Sequence, residues 1–212
     1  MFTYYKTYKE LGKKINNNGF EYVDLGLPSG TLWATMNVGA SEPSEAGLYF
    51  QWGDTSGYTA DQVGKDKQFS WANYKFSIHG SSSNFSKYTT TGATLDLEDD
   101  AANFHMGGDW HMPTPSQIQE LIDNTTTSWT TQDGVGGMTF TSKKDTSKSI
   151  FIPAAGDVLV GSLNGSGDYG NVWSSMLTTD DVGCGQNLYF SGNVNLDCYS
   201  RSSGFSVRGV LG

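Results

Sequence analysis

Cysteine, proline and basic charge are all scarce in this chain. Its 212 residues include 2 Cys, 5 Pro and 13 Lys plus Arg against 22 Asp plus Glu. Each shortage excludes something. Cys184 and Cys198 have no C-x-x-C spacing, so neither a zinc ribbon nor a thioredoxin-type site is encoded; one disulfide and two free small residues both stay open. A formal net charge of −9 argues against a non-specific grip on nucleic acid or an anionic membrane surface. No stretch approaches the roughly 18–20 apolar residues of a membrane span, so no membrane insertion is expected. The opening MFTYYKTYKELGKKINNNG carries lysines but no apolar leader core, so no signal peptide is read in it. A virion component and a chain that has lost its leader both fit that reading.

Aromatics take the place of the missing aliphatics. Hydrophobic residues are only 36% of the chain, yet 6 Trp, 11 Tyr and 11 Phe are present, and each such ring can bury roughly 150–250 Å². Together with 27 Gly and 17% charged residues, this describes a folded, turn-rich domain rather than a disordered chain.

The spacing of Tyr5, Tyr8, Leu11 and Ile15 predicts an N-terminal helix or linker within residues 1–20, ended by Asn16 to Gly19. Residues 21–212 read as one domain. FEYVDLGLPSGTLWATMNVGA is expected to be a hairpin and AGLYFQWGD a strand, whereas residues 55–94, rich in Ser, Thr, Gly, Lys and Tyr, look like a long surface insertion. Two helices are expected. Asp99 or Asp100 caps Ala101 to Met106; Thr114 caps the next, with Pro115 at its first position and Ile118, Leu121 and Ile122 as its apolar stripe. After Thr125 only short strands follow. The class read from this pattern is α+β.

The chemical motifs are weak. GSGDYG, residues 165–170, fits G-x-G-x-x-G, but the segment after it, NVWSSML, reads as strand, so no helix N-terminus would face a pyrophosphate. Asp96, Glu98, Asp99, Asp100, His105, Asp109 and His111 match neither H-E-x-x-H nor an EF-hand loop; capping and surface charge account for them, and calcium is the one ion to test. There is no G-x-S-x-G, and His79, His105 and His111 have no fixed relation to Ser or Cys. Asp168, Asp180, Asp181 and Asp197 could pair for glycoside hydrolysis, although turn geometry explains them more simply.

The segments VDLGLPSGTLWATMNVGA, AGLYFQWGD, LEDDAANFHMGGDWHMPT, DWHMPTPSQIQELI, FIPAAG, VWSS and GFSVRGV agree in order and spacing as well as identity. From about Tyr22 to Leu211 the chain resembles the Fibrobacter-type major paralogous domain found in gut Bacteroidetes and their phages. It is more distantly similar to the formylglycine-generating enzymes. The resemblance implies a C-type lectin fold with two helices, a small mixed sheet and long irregular loops, in which Trp110, Pro113, Trp173, Gly204, Phe205 and Val207 are framework. It does not carry catalysis over, because the enzymes use a closely spaced cysteine pair in a copper site and this chain lacks one. The sugar-binding signatures of calcium-dependent animal lectins are missing too.

The resemblance further implies the variable protein of a diversity-generating retroelement, in which a C-terminal surface is mutagenised at adenines to meet new ligands. The variable region would span about 157–208. Its expected exposed, ligand-facing positions are Val158, Leu163, Asn164, Asp168, Asn171, Met176, Asp180, Asp181, Cys184, Gln186, Asn187, Asn193, Asn195, Asp197, Tyr199, Ser200 and Ser202. Tyr provides rigid contact area there and Asn and Ser adaptable hydrogen bonds, while Arg201 is set apart as framework. No cofactor, metal or catalytic residue is expected. The partner would be a host-surface protein or glycan, met at a virion or cell surface as a phage receptor-binding protein or adhesin. An oxidase-like or carbohydrate-active enzyme is one alternative. A decoration domain of a virion or pilus, attached through the N-terminal segment, is another.

Overall fold

The computed structural model describes residues 13–15 and 18–212. Most of the predicted N-terminal helix therefore lies outside the described residues; its last three, Lys13–Ile15, form strand β1, paired antiparallel with β2 (Glu21–Val23). Beyond these, β3 (Leu32–Asn37) and β14 (Arg208–Leu211) complete a sheet ordered β1-β2-β3-β14. A second sheet holds β4 (Tyr49–Phe50), β10 (Gly170–Leu177), β11 (Cys184–Phe190), β12 (Val194–Ser200) and β13 (Phe205–Ser206), ordered β12-β11-β10-β13-β4. A third is the meander β5 (Thr125–Gln132), β6 (Val135–Ser142) and β7 (Ser149–Pro153). The hairpin β8 (Asp157–Leu159) and β9 (Ser162–Asn164) is the fourth.

This architecture overturns the expected α+β class and C-type lectin fold of two helices, one small mixed sheet and long irregular loops. Among the described residues strand makes up 38%, spread over several small sheets, and helix 11%, so the protein is mainly β. The physical reason is visible in the chain. Gly, Asn and Asp turns recur so often that segments stay short, and most of those between them are rich in Thr, Val and aromatic residues that favour a pleated surface.

Among the described residues two α-helices sit where their caps place them. Helix α1 (Ala101–Met106) starts at Asp100, whose carboxylate accepts from Asn103 N at 2.9 Å and also from Met112 N at 2.8 Å. Helix α2 (Pro115–Asn124) has a complete capping box, in which Thr114 Oγ1 accepts from Gln117 N and Gln117 Oε1 accepts from Thr114 N. Its Ile118 and Leu121 enter a core shared with Val23, Trp33, Phe140, Val172, Leu188 and Phe190. A neighbouring cluster gathers Trp52, Trp110, Trp173 and Phe205. Each fully buried Trp removes roughly 200 Å² from water, worth about 5 kcal/mol.

Residues 55–94 are more than a surface insertion. Tyr74, Phe76 and Phe85 form a buried cluster of their own, and Tyr74 Oη donates to Trp52 O at 2.9 Å. Arg201, fully buried, clamps this segment: its guanidinium lies 3.7 Å from the Phe85 ring centroid and donates to the carbonyls of Lys87, Tyr88 and Val182. Arg208, also fully buried, donates to Asn37 Oδ1 and to the carbonyls of Ala34 and Phe151. Desolvation lowers its pKa to about 9, which leaves it charged at neutral pH.

Among the described residues no helix is long and apolar enough to cross a membrane.

Candidate functional site

Strands β10, β11 and β12 carry most of the predicted contact positions, and their register decides which side each one takes. Leu188 stands opposite Val172 and Leu196, and Phe190 opposite Gly170 and Val194. Because neighbouring residues of a strand point to opposite sides, these form the inner side, against α2. On the outer side Tyr189 stands opposite Asn171 and Asn195, Asn187 opposite Trp173 and Asp197, and Gly185 opposite Tyr199.

The outer side is covered at one end and open at the other. A Cβ on Gly185 would lie 2.9 Å from Trp52 and 3.0 Å from Trp173, so glycine is what lets those rings close over this end. Tyr199, 38% exposed, rests on Phe205 with ring centroids 5.5 Å apart, and Phe205 stacks on Trp173 at 4.1 Å. Trp173 Nε1 in turn donates to Phe50 O. An exposed tyrosine on a pinned aromatic stack gives contact area at little further cost in entropy. At the open end Asn195 and Asp197 are exposed and Tyr189 half-buried. Tyr189 lies 6.0 Å from Tyr169, whose hydroxyl donates to Asp157 Oδ2 at 3.0 Å.

The seventeen predicted positions do not share one face. Asn195, Asp197 and Tyr199 are exposed on the outer side. Asn193 is exposed in the turn before β12, and Asn164 and Asp168 are exposed around the β8–β9 hairpin and the turn that follows it. Cys184, Gln186 and Ser200, all half-buried, lie on the opposite side of β11 and β12 from Tyr199. Gln186 Nε2 donates to Leu177 O. Met176, half-buried, bridges to Thr94. Asp180 and Asp181 shape the β10–β11 turn, where Asp181 Oδ1 accepts from Gly183 N at 2.7 Å.

Four of the positions expected to be exposed are buried, and Leu163 is half-buried. Val158 packs with Tyr49, Phe69 and Ala155, with Leu163 against the same cluster, because β8 exchanges backbone bonds with Gly204 and turns inward. Asn171 and Asn187 are an amide pair beneath the outer side: Asn187 Nδ2 donates to Asn171 Oδ1 at 2.8 Å, and Asn171 Nδ2 reaches Gly156 O. Ser202 is enclosed by Gln51, whose Nε2 donates to Ser202 O at 2.6 Å. Polar residues of this kind look like surface in a sequence, but a hydrogen-bond partner lets each one go inside.

Sequence reasoning missed Tyr169, Tyr189 and Asp157. For Tyr189 a signal existed: it is two residues beyond Asn187, so any strand that faces Asn187 one way must face Tyr189 the same way. Arg201, Trp173, Gly204 and Phe205 are buried framework as expected.

The other candidate chemistry is dispersed. Asp96, Glu98 and Asp99 do converge, but the Lys87 ammonium sits among them at 2.7, 2.8 and 2.6 Å and supplies the positive charge itself. Asp100 is an N-cap, His105 contacts Thr55 O and His111 contacts Met112 O. Gly165 to Gly170 is a turn leading into strand β10 rather than a helix. Cys184 and Cys198 are free thiols, and burial followed by the neighbouring Cys198 pushes the pKa of Cys184 up.

Clefts of about 470, 300 and 210 Å³ lie off the outer side, lined respectively by Leu27, Pro28 and Lys143, by Val23, Thr35 and Phe151, and by Phe20, Met36 and Met106. Comparison with family models, with curated proteins and with solved structures finds no match.

Proposed function

We propose that this chain is a ligand-binding protein rather than an enzyme, and that it meets its ligand with the outer side of β10–β12. One observation carries the reading: Tyr189, Asn195, Asp197 and Tyr199 are displayed on β11 and β12, whose other side packs into the core at Leu188 and Phe190. Such a surface can change residue by residue while Leu188, Phe190 and Trp173 keep the backbone in place. Contact would centre on Tyr189 and Tyr199 with a polar surround, the distribution seen in paratopes and interface anchors. This suits a retroelement-diversified protein of a phage or bacterial surface that binds a host-surface protein or glycan.

The test separates binding from folding. Tyr199→Ala, Asn195→Ala and Tyr189→Ala, singly and together, are expected to reduce retention of the labelled protein on intact bacterial cells, while thermal unfolding moves little. Full retention by the folded triple variant would end this assignment. The diversification claim has its own check. The encoding DNA should carry a reverse transcriptase and an imperfect repeat of the 3′ end that differs at adenines; without them that part falls and the binding face can still stand.

A further inference from the structure

The same surface has a chemical signature that narrows its ligand. From Ser149 to Ser200 there is no Lys, Arg or His, whereas five aspartates occur, at 157, 168, 180, 181 and 197. Asp157 and Asp197 flank the tyrosines. Among the described residues neither has a basic group within ion-pair distance. Their charges reach the rings: burial first, then Asp157 and Asp197, raises the pKa of Tyr199. For Tyr169 the order is burial, then its hydrogen bond to Asp157. Three tyrosines beside the exposed Asp197 carboxylate, with Asp157 buried behind them and accepting from Tyr169 Oη and Asn164 Nδ2, make a field that attracts cations through both ring quadrupole and charge.

Hydrogen-bonding capacity points the same way. Asn187 is 1% exposed, and while its Nδ2 is used by Asn171, its Oδ1 has no donor. A buried acceptor without a donor is costly. Beside it in the register stands the Asp197 carboxylate, which among the described residues accepts only from the Cys198 backbone N–H. The groups left unsatisfied here are acceptors, so the complementary ligand group brings donors and no acceptor. Guanidinium, ammonium, imidazolium and the indole N–H are side-chain groups of that kind, and of these guanidinium and ammonium carry at neutral pH the positive charge that the Asp197 carboxylate favours.

We infer that the outer side of β10–β12 binds a basic side chain of a partner protein, an Arg or Lys lying against Tyr189 and Tyr199 with Asp197 as its counter-ion and Asn187 Oδ1 as a further acceptor once the side chains above it move aside. This rests on the reading of the same surface as the ligand face.

Fluorescence anisotropy with a labelled nine-residue Gly-Ser peptide carrying three Arg tests it, beside the same peptide with Gln in place of Arg. The Arg peptide should bind, and the Gln peptide about tenfold more weakly or worse. Asp197→Asn and Tyr199→Ala should each cost about tenfold, equivalent to roughly 1.4 kcal/mol. Glu42→Gln, which removes an exposed carboxylate off this face, should leave the affinity unchanged, and thermal unfolding certifies that each variant is folded. Equal binding of the Gln peptide, no binding of the Arg peptide, or the same loss from Glu42→Gln as from Asp197→Asn would overturn the inference. In the last case only net charge is at work. If the Arg peptide fails while Tyr199→Ala still abolishes retention on cells, the ligand face stands and only its preference for cations falls; if retention is indifferent to Tyr199, the face itself is wrong.

Discussion

The two sides of β10, β11 and β12 share one backbone and obey different rules. On the inner side Val172, Leu188 and Phe190 are at most 1% exposed and meet Ile118, Leu121 and Phe140. In so dense an environment the change of a single methylene is felt. On the outer side Asn195, Asp197 and Tyr199 are exposed, where substitutions ordinarily change stability little. The contrast teaches where a binding protein can vary without losing its fold. It also marks a limit, because Asn171 and Asn187 lie under the outer side and are buried, so sequence polarity alone does not make a position free to vary.

The largest effect should come from the arginine that anchors the end of the chain behind this sheet. Arg208→Ala removes a fully buried side chain and leaves Asn37 Oδ1 and the carbonyls of Ala34 and Phe151 without that donor. A loss of about 4–5 kcal/mol is expected in urea unfolding. A loss under about 1 kcal/mol would show that the scaffold does not depend on this clamp. Next, Leu188→Ala on the inner side should cost about 3 kcal/mol from lost burial and a residual cavity. The outer-side replacements of Tyr199 and Asn195 should each stay below about 1 kcal/mol. If inner and outer costs came out equal, the division of labour proposed for these strands would be gone.

A smaller, pH-dependent effect tests the segment that Arg201 grips. Burial by itself would raise the pKa of Asp99, but hydrogen bonds from Lys75, Lys87 and Tyr88 outweigh it and hold the carboxyl below its usual value. A carboxyl depressed in the folded state contributes stability that is complete above its unfolded pKa, near 4, and is lost as pH falls through the lower folded value. Asp99→Asn should therefore flatten the stability profile as pH falls below about 4. An unchanged slope would assign the acid sensitivity elsewhere.

Much of the local structure was legible from residues close together in the chain. Thr114, Pro115 and Gln117 announce α2, and Asp100 announces α1, because a cap and its amide lie three residues apart. Trp173, Gly204 and Phe205, expected as framework from the resemblance, are buried. The balance of strand over helix was not legible as a fold, because it depends on which short segments pair. Nor was the burial of Val158 and Ser202, which rests on Gly204 and Gln51. Of the candidate site, Asn195, Asp197 and Tyr199 were legible as exposed, whereas Tyr169, Tyr189 and Asp157 were not picked out.

By itself, then, the sequence determined the caps, the turns, the aromatic stock of the core and the absence of basic residues from Ser149 to Ser200. All of these are properties of composition or of contacts a few residues long. Only the tertiary structure decided that Cys184 and Tyr199 lie on opposite sides of one sheet, that Asn187 goes inside and that Tyr169 comes to stand beside Tyr189. Side-chain direction in a strand repeats every two residues, so a single step of register exchanges the two sides. That register is set by partners on neighbouring strands, across turns and as far as Gly170 is from Phe190, and the residues of one strand do not contain it.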